Sequence, residues 1–532
     1  MLKNYIKKID MKMFLVPAIM SVIIVIIGAC FSESFGRMID GLFAIISRYF
    51  GWMYDLGLIL LVVFCLWAGF SKVGKIRLGG KDAKPIMSMF AWIAVTFTSG
   101  MAMGVVFYGV GEGLQHFMLP PGFTGMAGGS AEAAEEALSY VFFHWGLHPY
   151  AIYTAAGLGY AFVYWNTKRS FSLTSSLYPL LGEKGENGIW GCILSWLSFY
   201  IIVACLGTNH GLFTLQIQSG MNYVFGTHIS EALYPVILFA LEAVAVICAC
   251  SGIHKAISHV SKLNMIIFAI LLVWAFVFGG TADIINNTFT SIGKYLALLV
   301  PESFYLEPAI QSGWISDWTL YYWAWWLVVA PICGLFLAKL AKGRTIREFV
   351  LVNLLVPVGF VIVWFGTFGS SAIFKQLGGT DIWSSIQEYG FPVALFAYLK
   401  TLPLYKVMAV FAFLAVIFSV LTQVESMDYT MAGMTSTDKT EDENGEIKSP
   451  AFLKVFWAAV IGLMSYVLLK AGGLETVQRS VVSLGLPILV ILLVNCVSFI
   501  KAVRHREVYD LTLSEEDRQR IIKEKALETE EG

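Results

Sequence analysis

Twelve long apolar stretches dominate this chain of 532 residues. A helix needs about 20 mostly apolar residues to cross the hydrocarbon core of a bilayer. We predict transmembrane helices at 13–31, 52–71, 88–111, 137–165, 190–224, 231–250, 260–279, 317–341, 347–372, 405–433, 451–470 and 480–500. A shorter amphipathic segment, 284–300, is expected to lie at the membrane interface. The predicted fold class is an all-α polytopic membrane protein with 12 transmembrane helices.

Composition excludes most other classes of protein. Hydrophobic residues make up 57% of the chain and charged residues only 14%, whereas soluble domains are about 25% charged. A soluble enzyme, a disordered chain and a disulfide scaffold are therefore excluded. The net charge of −1 gives no reason to expect a nucleic-acid partner. The expected surroundings are the lipid bilayer.

The distribution of Lys and Arg predicts the orientation of the chain. With the N-terminus inside, the inside segments hold 27 of the 36 basic residues and the outside segments hold 7. Basic residues are enriched in cytoplasmic loops, so both termini are predicted to be cytoplasmic. The expected localisation is the cytoplasmic membrane, as a multi-pass protein. An even number of spans without a soluble domain suits a carrier, but a channel or a membrane-embedded enzyme fits the same pattern.

The third span is rich in glycine at its centre. Four glycines, Gly100, Gly104, Gly109 and Gly111, lie within twelve residues, next to Thr98. Small residues in a membrane helix often serve close helix packing. A cluster of this density favours a broken helix, whose freed carbonyl and amide groups can line a cavity.

The fourth span carries histidines and aromatic residues together. At 100° per residue, Trp145, Tyr150 and Tyr153 project onto one broad helix face. His144 and His148 lie one turn apart, which is also the spacing of a haem or metal pair. Histidines that are simply hydrogen-bonded in the interior are the other interpretation.

The eighth span has an unusual run of aromatic residues. Trp325 and Trp326 lie one to two turns before Pro331, which is expected to interrupt the helix. Aromatic belts at the interface are the ordinary explanation for such a run. Interior indole rings beside a helix break can also bind a quaternary ammonium, which has no N–H to donate and is held by aromatic faces. We therefore expect Trp325, with Trp145 and Tyr153, to hold an ammonium group.

These residues resemble a known family, the betaine/choline/carnitine transporters. The resemblance lies in 322–326 (YWAWW), 336–338 (FLA), 342–349 (KGRTIREF), 144–149 (HWGLHP) and 107–109 (FYG), and it covers essentially the whole chain. It implies an inverted 5+5 helix repeat (LeuT-like) with two extra N-terminal helices, and a homotrimer. The implied division of the chain is a cytoplasmic tail 1–12, two N-terminal helices 13–87, a first repeat 88–279, an interfacial helix and external loop 280–316, a second repeat 317–500 and a cytoplasmic tail 501–532.

The resemblance also implies a set of binding residues. The family's aromatic box falls on Trp145, Tyr150 and Tyr153, and its wall in span eight falls on Trp325 and Trp326. The family's broken helix falls on Gly100, Met101, Ala102 and Gly104, so that Met101 and Ala102 would also contact substrate. Two positions depart from the betaine carriers, which have Trp in place of Tyr150 and a third aromatic in place of Val329.

The coupling ion follows from the resemblance by elimination. Proton-coupled choline carriers have an acidic residue where this chain has Gly104, and sodium-independent carnitine exchangers have an arginine where it has Asn264. Both departures favour sodium, with Thr98, Met101 and Thr422 as its candidate ligands. The stretch 422–426 matches the family's sodium ligands only loosely, and its Glu425 is also explained as a solvated charge at the cytoplasmic end.

The predicted function is uptake of a quaternary ammonium compound of the glycine betaine, carnitine or choline type by sodium symport. The alternative is sodium-independent exchange of trimethylammonium compounds, and the alternative from another class is a haem- or metal-binding membrane enzyme. No enzymatic activity and no cofactor other than a coupling sodium ion are expected. Arg344 and Arg347 are expected to support structure and orientation on a cytoplasmic loop without contacting substrate.

Overall fold

The computed structural model describes residues 7–250, 254–438 and 449–531, and these residues form an all-helical protein. Pairing between strands is limited, in this part of the chain, to the isolated bridges Ile9–Ser436 and Arg77–Thr345. The helices of the first half are α1 Met11–Cys30, α2 Ser32–Phe70, α3 Met89–Tyr108, α4 Gly111–Met118, α5 Ala131–Trp145, α6 Leu147–Trp165, α7 Tyr178–Asn187, α8 Ile189–Phe225, α9 Tyr234–Cys250 and α10 His254–Phe278.

The second half begins with α11 Thr281–Glu302, where the sequence predicts an interfacial helix at 284–300. The helices that follow are α12 Tyr321–Leu340, α13 Ile346–Val350, α14 Val356–Leu377, α15 Trp383–Tyr389, α16 Ala394–Leu399, α17 Tyr405–Met434, α18 Ala451–Arg504, α19 Arg506–Tyr509 and α20 Glu515–Glu531. Two π-helical turns, Ile315–Leu320 and Leu351–Leu355, lead into α12 and α14.

Eight helical segments in the described ranges are long and apolar enough to cross a membrane. They are Met11–Cys30, Ser32–Phe70, Ile189–Phe225, Val260–Phe278, Ile315–Leu340, Ile346–Leu377, Tyr405–Gln423 and Ala451–Arg504. Of these, Ile315–Leu340 is the most deeply enclosed, with 83% of its most apolar window buried, whereas Met11–Cys30 is 28% buried. Span eight is therefore a central helix, and the first span lies at the periphery of the bundle.

The last of these segments contains a sharp break in its backbone. Within Ala451–Arg504, Gly472 (φ 170°, ψ 25°) and Gly473 (φ 62°, ψ −140°) are not helical. A positive φ such as that of Gly473 is readily adopted only by glycine. The break divides the segment into two helices at the place where the sequence predicts the loop between spans 451–470 and 480–500.

Two predicted helix breaks are not found where the sequence placed them. In span three, α3 is helical through 100–104 and ends at Tyr108, and the Val105 carbonyl in its last turn accepts a hydrogen bond from the indole of Trp364 (2.9 Å). In span eight, α12 continues through Pro331, and the irregular turn precedes the helix. Packed neighbouring helices let membrane helices tolerate proline in this way. The predictions of a break at Gly100–Gly104 and at Pro331 are therefore wrong.

A break that the sequence does not predict lies in span four. Gly146 (φ −93°, ψ −126°) separates α5 from α6. The freed N–H of Leu147 donates to the hydroxyl of Tyr295 on α11 at 3.0 Å. A Cβ at position 146 would lie 2.3 Å from the Phe142 carbonyl oxygen and 2.6 Å from the Tyr295 hydroxyl, so the turn requires glycine. The projection of 137–165 as one continuous helix is wrong.

The loop that follows α12 is fixed by its two arginines. Arg344 donates to the carbonyl of Met87 (2.6 Å), and its guanidinium lies 4.8 Å from the ring centroid of Trp92. Arg347 donates to the carbonyl of Gly69 at 2.9 Å. Both side chains thus hold backbone segments together, in agreement with the structural role expected for them.

Candidate functional site

The centre of the bundle is an aromatic cluster built from α6 and α12, with Trp145 joining from the end of α5. The ring centroid of Trp326 lies 5.0 Å from Tyr153, 5.1 Å from Tyr150 and 5.6 Å from Trp145. All four side chains are almost completely buried. The structure therefore brings together four of the aromatic residues that the sequence predicts, and we call Trp145, Tyr150, Tyr153 and Trp326 the aromatic box.

Trp325 points to different partners, although it is the next residue along α12. Its indole N–H donates to Oδ1 of Asn209 at 2.8 Å, and its ring stacks on Tyr321 at 5.8 Å with an interplanar angle of 12°. It meets the box only at Trp145, edge-on, with centroids 6.0 Å apart. Trp325 thus borders the box, and Trp326 is the residue whose ring contacts the other three members.

Two polar groups of the box remain without a partner. The hydroxyl of Tyr150 and the indole N–H of Trp326 are buried and have no hydrogen-bond partner among the described residues. A buried donor without a partner costs about 1–3 kcal/mol. Groups of this kind in an aromatic cluster are suited to an incoming oxygen atom from a ligand or a water molecule.

One face of α12 keeps some accessible surface in the interior of the protein. Trp325, Val329 and Cys333, spaced four residues apart, are each 7% exposed, whereas Ala324, Leu327 and Val328 are fully buried. Residues at this spacing share one helix face. Tyr153 on α6 retains the same fraction. The accessible face of α12 therefore begins beside the aromatic box and extends toward the C-terminal end of the helix.

Gly104 supplies the wall of the box on the side of α3. A Cβ at this position would lie 2.4 Å from Cη2 of Trp145 and 3.0 Å from Cη2 of Trp325. A side chain cannot be added there unless these large rings move. The glycine-rich stretch therefore allows α3 to approach the aromatic cluster, which is the packing interpretation of this glycine.

A buried carboxylate that the sequence reading missed lies directly behind Trp145. Glu112 on α4 is fully buried and accepts hydrogen bonds from Trp145 Nε1 (2.7 Å) and Tyr322 Oη (2.5 Å), and His144 Nδ1 lies 2.8 Å from its Oε1. Glu112 could have been singled out from the sequence, because ionisable residues close to an apolar span are costly to bury and usually functional.

The histidines do not form the pair that their spacing suggested. His148 Nε2 contacts the hydroxyl of Ser303 at 2.8 Å, and His144 contacts Glu112 instead. Ligand atoms of Glu112, His116 and His144 lie within 4.8 Å of one another, a spacing at which they could hold a metal ion. The Glu112 carboxylate is already engaged by three donors, so hydrogen bonding accounts for His144 without a metal.

The candidate sodium ligands are only partly described. The side chains of Thr98, Met101 and Ala102 lie outside the described part of the structure, as does that of Glu425. The hydroxyl of Thr422 donates to the Phe418 carbonyl at 2.8 Å and lies 3.4 Å from the Ser261 hydroxyl.

Asn264 occupies the position where sodium-independent exchangers have an arginine. It donates from Nδ2 to the Ser419 hydroxyl at 3.0 Å, across the packed helices α10 and α17. No cation therefore lies at this position of span seven.

Comparison with known proteins identifies the family. The chain matches the model of the betaine/carnitine/choline family transporters over residues 12–508. It is 32% identical to a probable glycine betaine transporter of Desulfitobacterium hafniense over 94% of this chain and 98% of the relative. It is 34% identical to the osmo-independent choline transporter BetT1 of Acinetobacter baylyi over 86% of each chain.

A third relative, the ectoine/hydroxyectoine transporter of Virgibacillus pantothenticus, is 31% identical over 93% of this chain and 96% of its own. The family match covers nearly the whole chain and confirms the resemblance seen in the sequence. The protein belongs to the betaine/carnitine/choline transporter family.

Proposed function

We propose that this protein, a transporter and not an enzyme, takes up a quaternary ammonium compound by secondary active transport and binds its ammonium group in the aromatic box. The observation that carries the proposal is the contact of Trp326 with Trp145, Tyr150 and Tyr153 in the buried centre of the bundle. A methylated ammonium has no N–H, so aromatic faces are its best partners, each worth about 2 kcal/mol when desolvated.

Two polar groups of the aromatic box favour a substrate that carries an oxygen as well as the ammonium group. The Tyr150 hydroxyl and the Trp326 indole N–H are buried without partners among the described residues. A carboxylate, as in glycine betaine or carnitine, or a hydroxyl, as in choline, would satisfy them. The printed names of the relatives include glycine betaine, choline and ectoine, so glycine betaine and choline are the first compounds to test.

Sodium is the coupling ion that we propose, with Thr98, Met101 and Thr422 near it. Carbonyl and hydroxyl oxygens suit a hard cation, and Thr422 supplies a hydroxyl on α17, which packs against α3. In support, position 104 is glycine and position 264 is asparagine, so the acidic residue of proton-coupled carriers and the arginine of exchangers are both missing there. Sodium-independent exchange is the alternative.

For the architecture we propose twelve spans in an inverted 5+5 repeat behind two N-terminal helices, with both termini cytoplasmic. The two predicted repeats start with α3 and with α12. Each of these helices packs against the third long helix of the other repeat: α3 packs on α17, and α12 packs on α8. This reciprocal packing supports an inverted repeat. The excess of basic residues in alternate loops supports the orientation, and the family resemblance supports a homotrimer.

Uptake into proteoliposomes tests the transport mechanism. Labelled glycine betaine, carnitine and choline are offered with an inward sodium gradient, and with potassium in its place, each with and without internal substrate. We expect saturable uptake of at least one compound that depends on the sodium gradient. Equal uptake in potassium combined with strong stimulation by internal substrate would establish exchange instead, and no uptake of any of the three would refute the substrate class.

A further inference from the structure

The carboxylate of Glu112 lies behind the aromatic box, on the edge of Trp145 that carries the indole N–H. The side chain is fully buried on α4, the short helix that follows the end of α3. Oε2 receives hydrogen bonds from Trp145 Nε1 and Tyr322 Oη, and Oε1 receives one from His144 Nδ1. His116 Nε2 lies 3.5 Å from Oε1, and neither of its ring nitrogens has a hydrogen-bond partner among the described residues.

The directions of these hydrogen bonds favour an ionised Glu112. An indole N–H can only donate. The hydroxyl of Thr319 lies 3.1 Å from Nε2 of His144 and can donate to it, which leaves Nδ1 of His144 to carry the proton that points at Glu112. With Tyr322 donating as well, three donors converge on one carboxylate, and charge-assisted bonds of this kind are about twice as strong as neutral ones.

The hydrogen bond to Glu112 has two consequences for Trp145. It fixes the rotation of the indole, whose ring contacts Trp326 at 5.6 Å with an interplanar angle of 80°. Hydrogen bonds in a low-dielectric interior also polarise the groups that they join. Donation from the indole N–H to an anion shifts electron density onto the ring, whose negative faces attract cations. An anion at this edge should thus make Trp145 a better partner for a cation, but not for a neutral group of the same shape.

We infer that Glu112 is a positioning and specificity-determining residue: through its hydrogen bond to the Trp145 indole it makes the aromatic box selective for a positively charged trimethylammonium group over its uncharged isostere. The inference rests on the proposed function of the box. Glu112 itself does not touch the substrate in this scheme, because its oxygens are engaged on the outer edge of Trp145, Tyr322 and His144.

The structure contains a matched control for this arrangement. Asp55 on α2 is also buried, and its Oδ1 accepts a hydrogen bond from the indole N–H of Trp323 at 2.9 Å. Trp323 packs on Phe143 and His148, and none of its described ring contacts involves Tyr150, Tyr153 or Trp326. Asp55→Asn therefore replaces the carboxylate of a second buried carboxylate–indole pair, at a position outside the box.

The experiment compares binding of a compound that carries a trimethylammonium group with binding of its isostere that carries a neutral tert-butyl group. The purified full chain is titrated by calorimetry with choline and 3,3-dimethylbutan-1-ol, and with glycine betaine and 3,3-dimethylbutanoate, in which carbon replaces the ammonium nitrogen. In Glu112→Gln we expect the preference for the trimethylammonium member of each pair to fall by about five-fold or more. Asp55→Asn should keep the preference of the parent protein, whatever it does to stability.

Two further variants separate action through Trp145 from a direct effect of the charge. Trp145→Phe keeps a ring but has no N–H, and it should lower the preference by a similar factor. Adding Glu112→Gln to Trp145→Phe should then change the preference little, because the hydrogen bond is already lost. If Glu112→Gln does not fold, the loss of preference in Trp145→Phe should exceed that in Trp326→Phe, which also replaces an indole by a smaller ring but breaks no bond to Glu112.

Three results would overturn the inference while leaving the proposed substrate class intact. Glu112→Gln, or Trp145→Phe in its place, could keep the parent's preference. Glu112→Gln could lower charged and uncharged binding equally, as a purely structural residue would. Glu112→Gln could lower the preference for the trimethylammonium compound as much in Trp145→Phe as in the parent protein, which would show that Glu112 does not act through the Trp145 indole. A parent chain that binds neither choline nor glycine betaine would instead refute the proposed substrate class, and this inference with it.

Discussion

The indole N–H of Trp325 lies 2.8 Å from Oδ1 of Asn209, whereas the next residue, Trp326, directs its ring to Tyr150 and Tyr153. Two adjacent tryptophans on one helix therefore have different environments. Trp325 connects α12 to α8 by its hydrogen bond to Asn209. The indole N–H of Trp326 has no hydrogen-bond partner among the described residues. The two side chains can be distinguished by mutation.

Trp326→Leu should weaken apparent substrate affinity by at least about ten-fold. The loss of one desolvated aromatic face costs about 2 kcal/mol, and about 1.4 kcal/mol corresponds to a factor of ten. Trp326→Phe should be milder, since a π face survives. Calorimetry on monodisperse protein measures the effect.

Trp325→Leu is the matched comparison. From the sequence alone, Trp325 was the residue expected to bind the ammonium group. Its ring meets the box only edge-on at Trp145, so we expect a smaller loss of affinity and a larger loss of thermal stability than in Trp326→Leu. If Trp325→Leu weakened binding more than Trp326→Leu did, the assignment of Trp326 to the box would be wrong.

The sequence predicted which aromatic residues meet better than it predicted the backbone that holds them. Trp145, Tyr150, Tyr153 and Trp326 do meet, because resemblance to a family transfers residue identity position by position. The break at Gly146 was missed, since it depends on a cap that Tyr295 supplies from a helix about 150 residues away in the chain. Periodicity describes a single helix and contains no information about such partners.

Glu112 and Asn209 were missed for a related reason. A single acidic or amide residue in an apolar segment is visible in the sequence, but its partners are not. Glu112 is joined to Tyr322 across a separation of 210 residues, and Asn209 to Trp325 across 116. Only the folded arrangement shows that both side chains hold aromatic residues of the central cluster.

Gly104→Ala should lower substrate affinity by about ten-fold. The added methyl group would lie 2.4 Å from Cη2 of Trp145, and such a contact forces the ring to move out of the box. Overpacking of this kind typically costs about 1–3 kcal/mol, and here the displaced ring belongs to the proposed substrate site. Uptake at several substrate concentrations separates a change in apparent affinity from a change in maximal rate.

Gly41→Ala is the control for the Gly104 variant. Gly41 is an exposed glycine of α2, and a Cβ there would meet nothing within 4 Å. Its uptake should match that of the parent. An unchanged apparent affinity in Gly104→Ala would show that the wall formed by α3 does not constrain the box.

Arg344→Gln should reduce protein level and thermal stability while leaving substrate preference unchanged. Arg344 is 6% exposed, and it donates to the Met87 carbonyl at 2.6 Å while lying over Trp92. Glutamine loses the charge-assisted bond and the cation–π contact. Arg48→Gln, at an exposed position, should behave like the parent protein. A changed ratio of choline to glycine betaine uptake in Arg344→Gln would contradict a purely structural role.

The stability of the protein should depend on pH through Glu302, at the end of α11. Burial, with the nearby carboxylates of Glu136 and Glu307, raises the pKa of Glu302 to about 7. The unfolded chain has the ordinary value of 4.5, so the folded state holds this proton over a range where the unfolded state has lost it. The proton on Glu302 therefore contributes fully to the stability of the folded state below pH 4.5, and this contribution is lost as the pH rises through about 7.

Glu302→Gln isolates this effect from all other titrating groups. Glutamine cannot ionise, so the variant should be as stable as the parent near pH 4.5 and more stable near pH 8, provided that the amide is accommodated equally well. Thermal unfolding of both proteins in detergent at half-unit intervals of pH gives the difference between them, which should grow mainly between about pH 5 and pH 7. A difference that is constant over this range would show that Glu302 titrates normally, and that neither its burial nor its acidic neighbours destabilise its charged form.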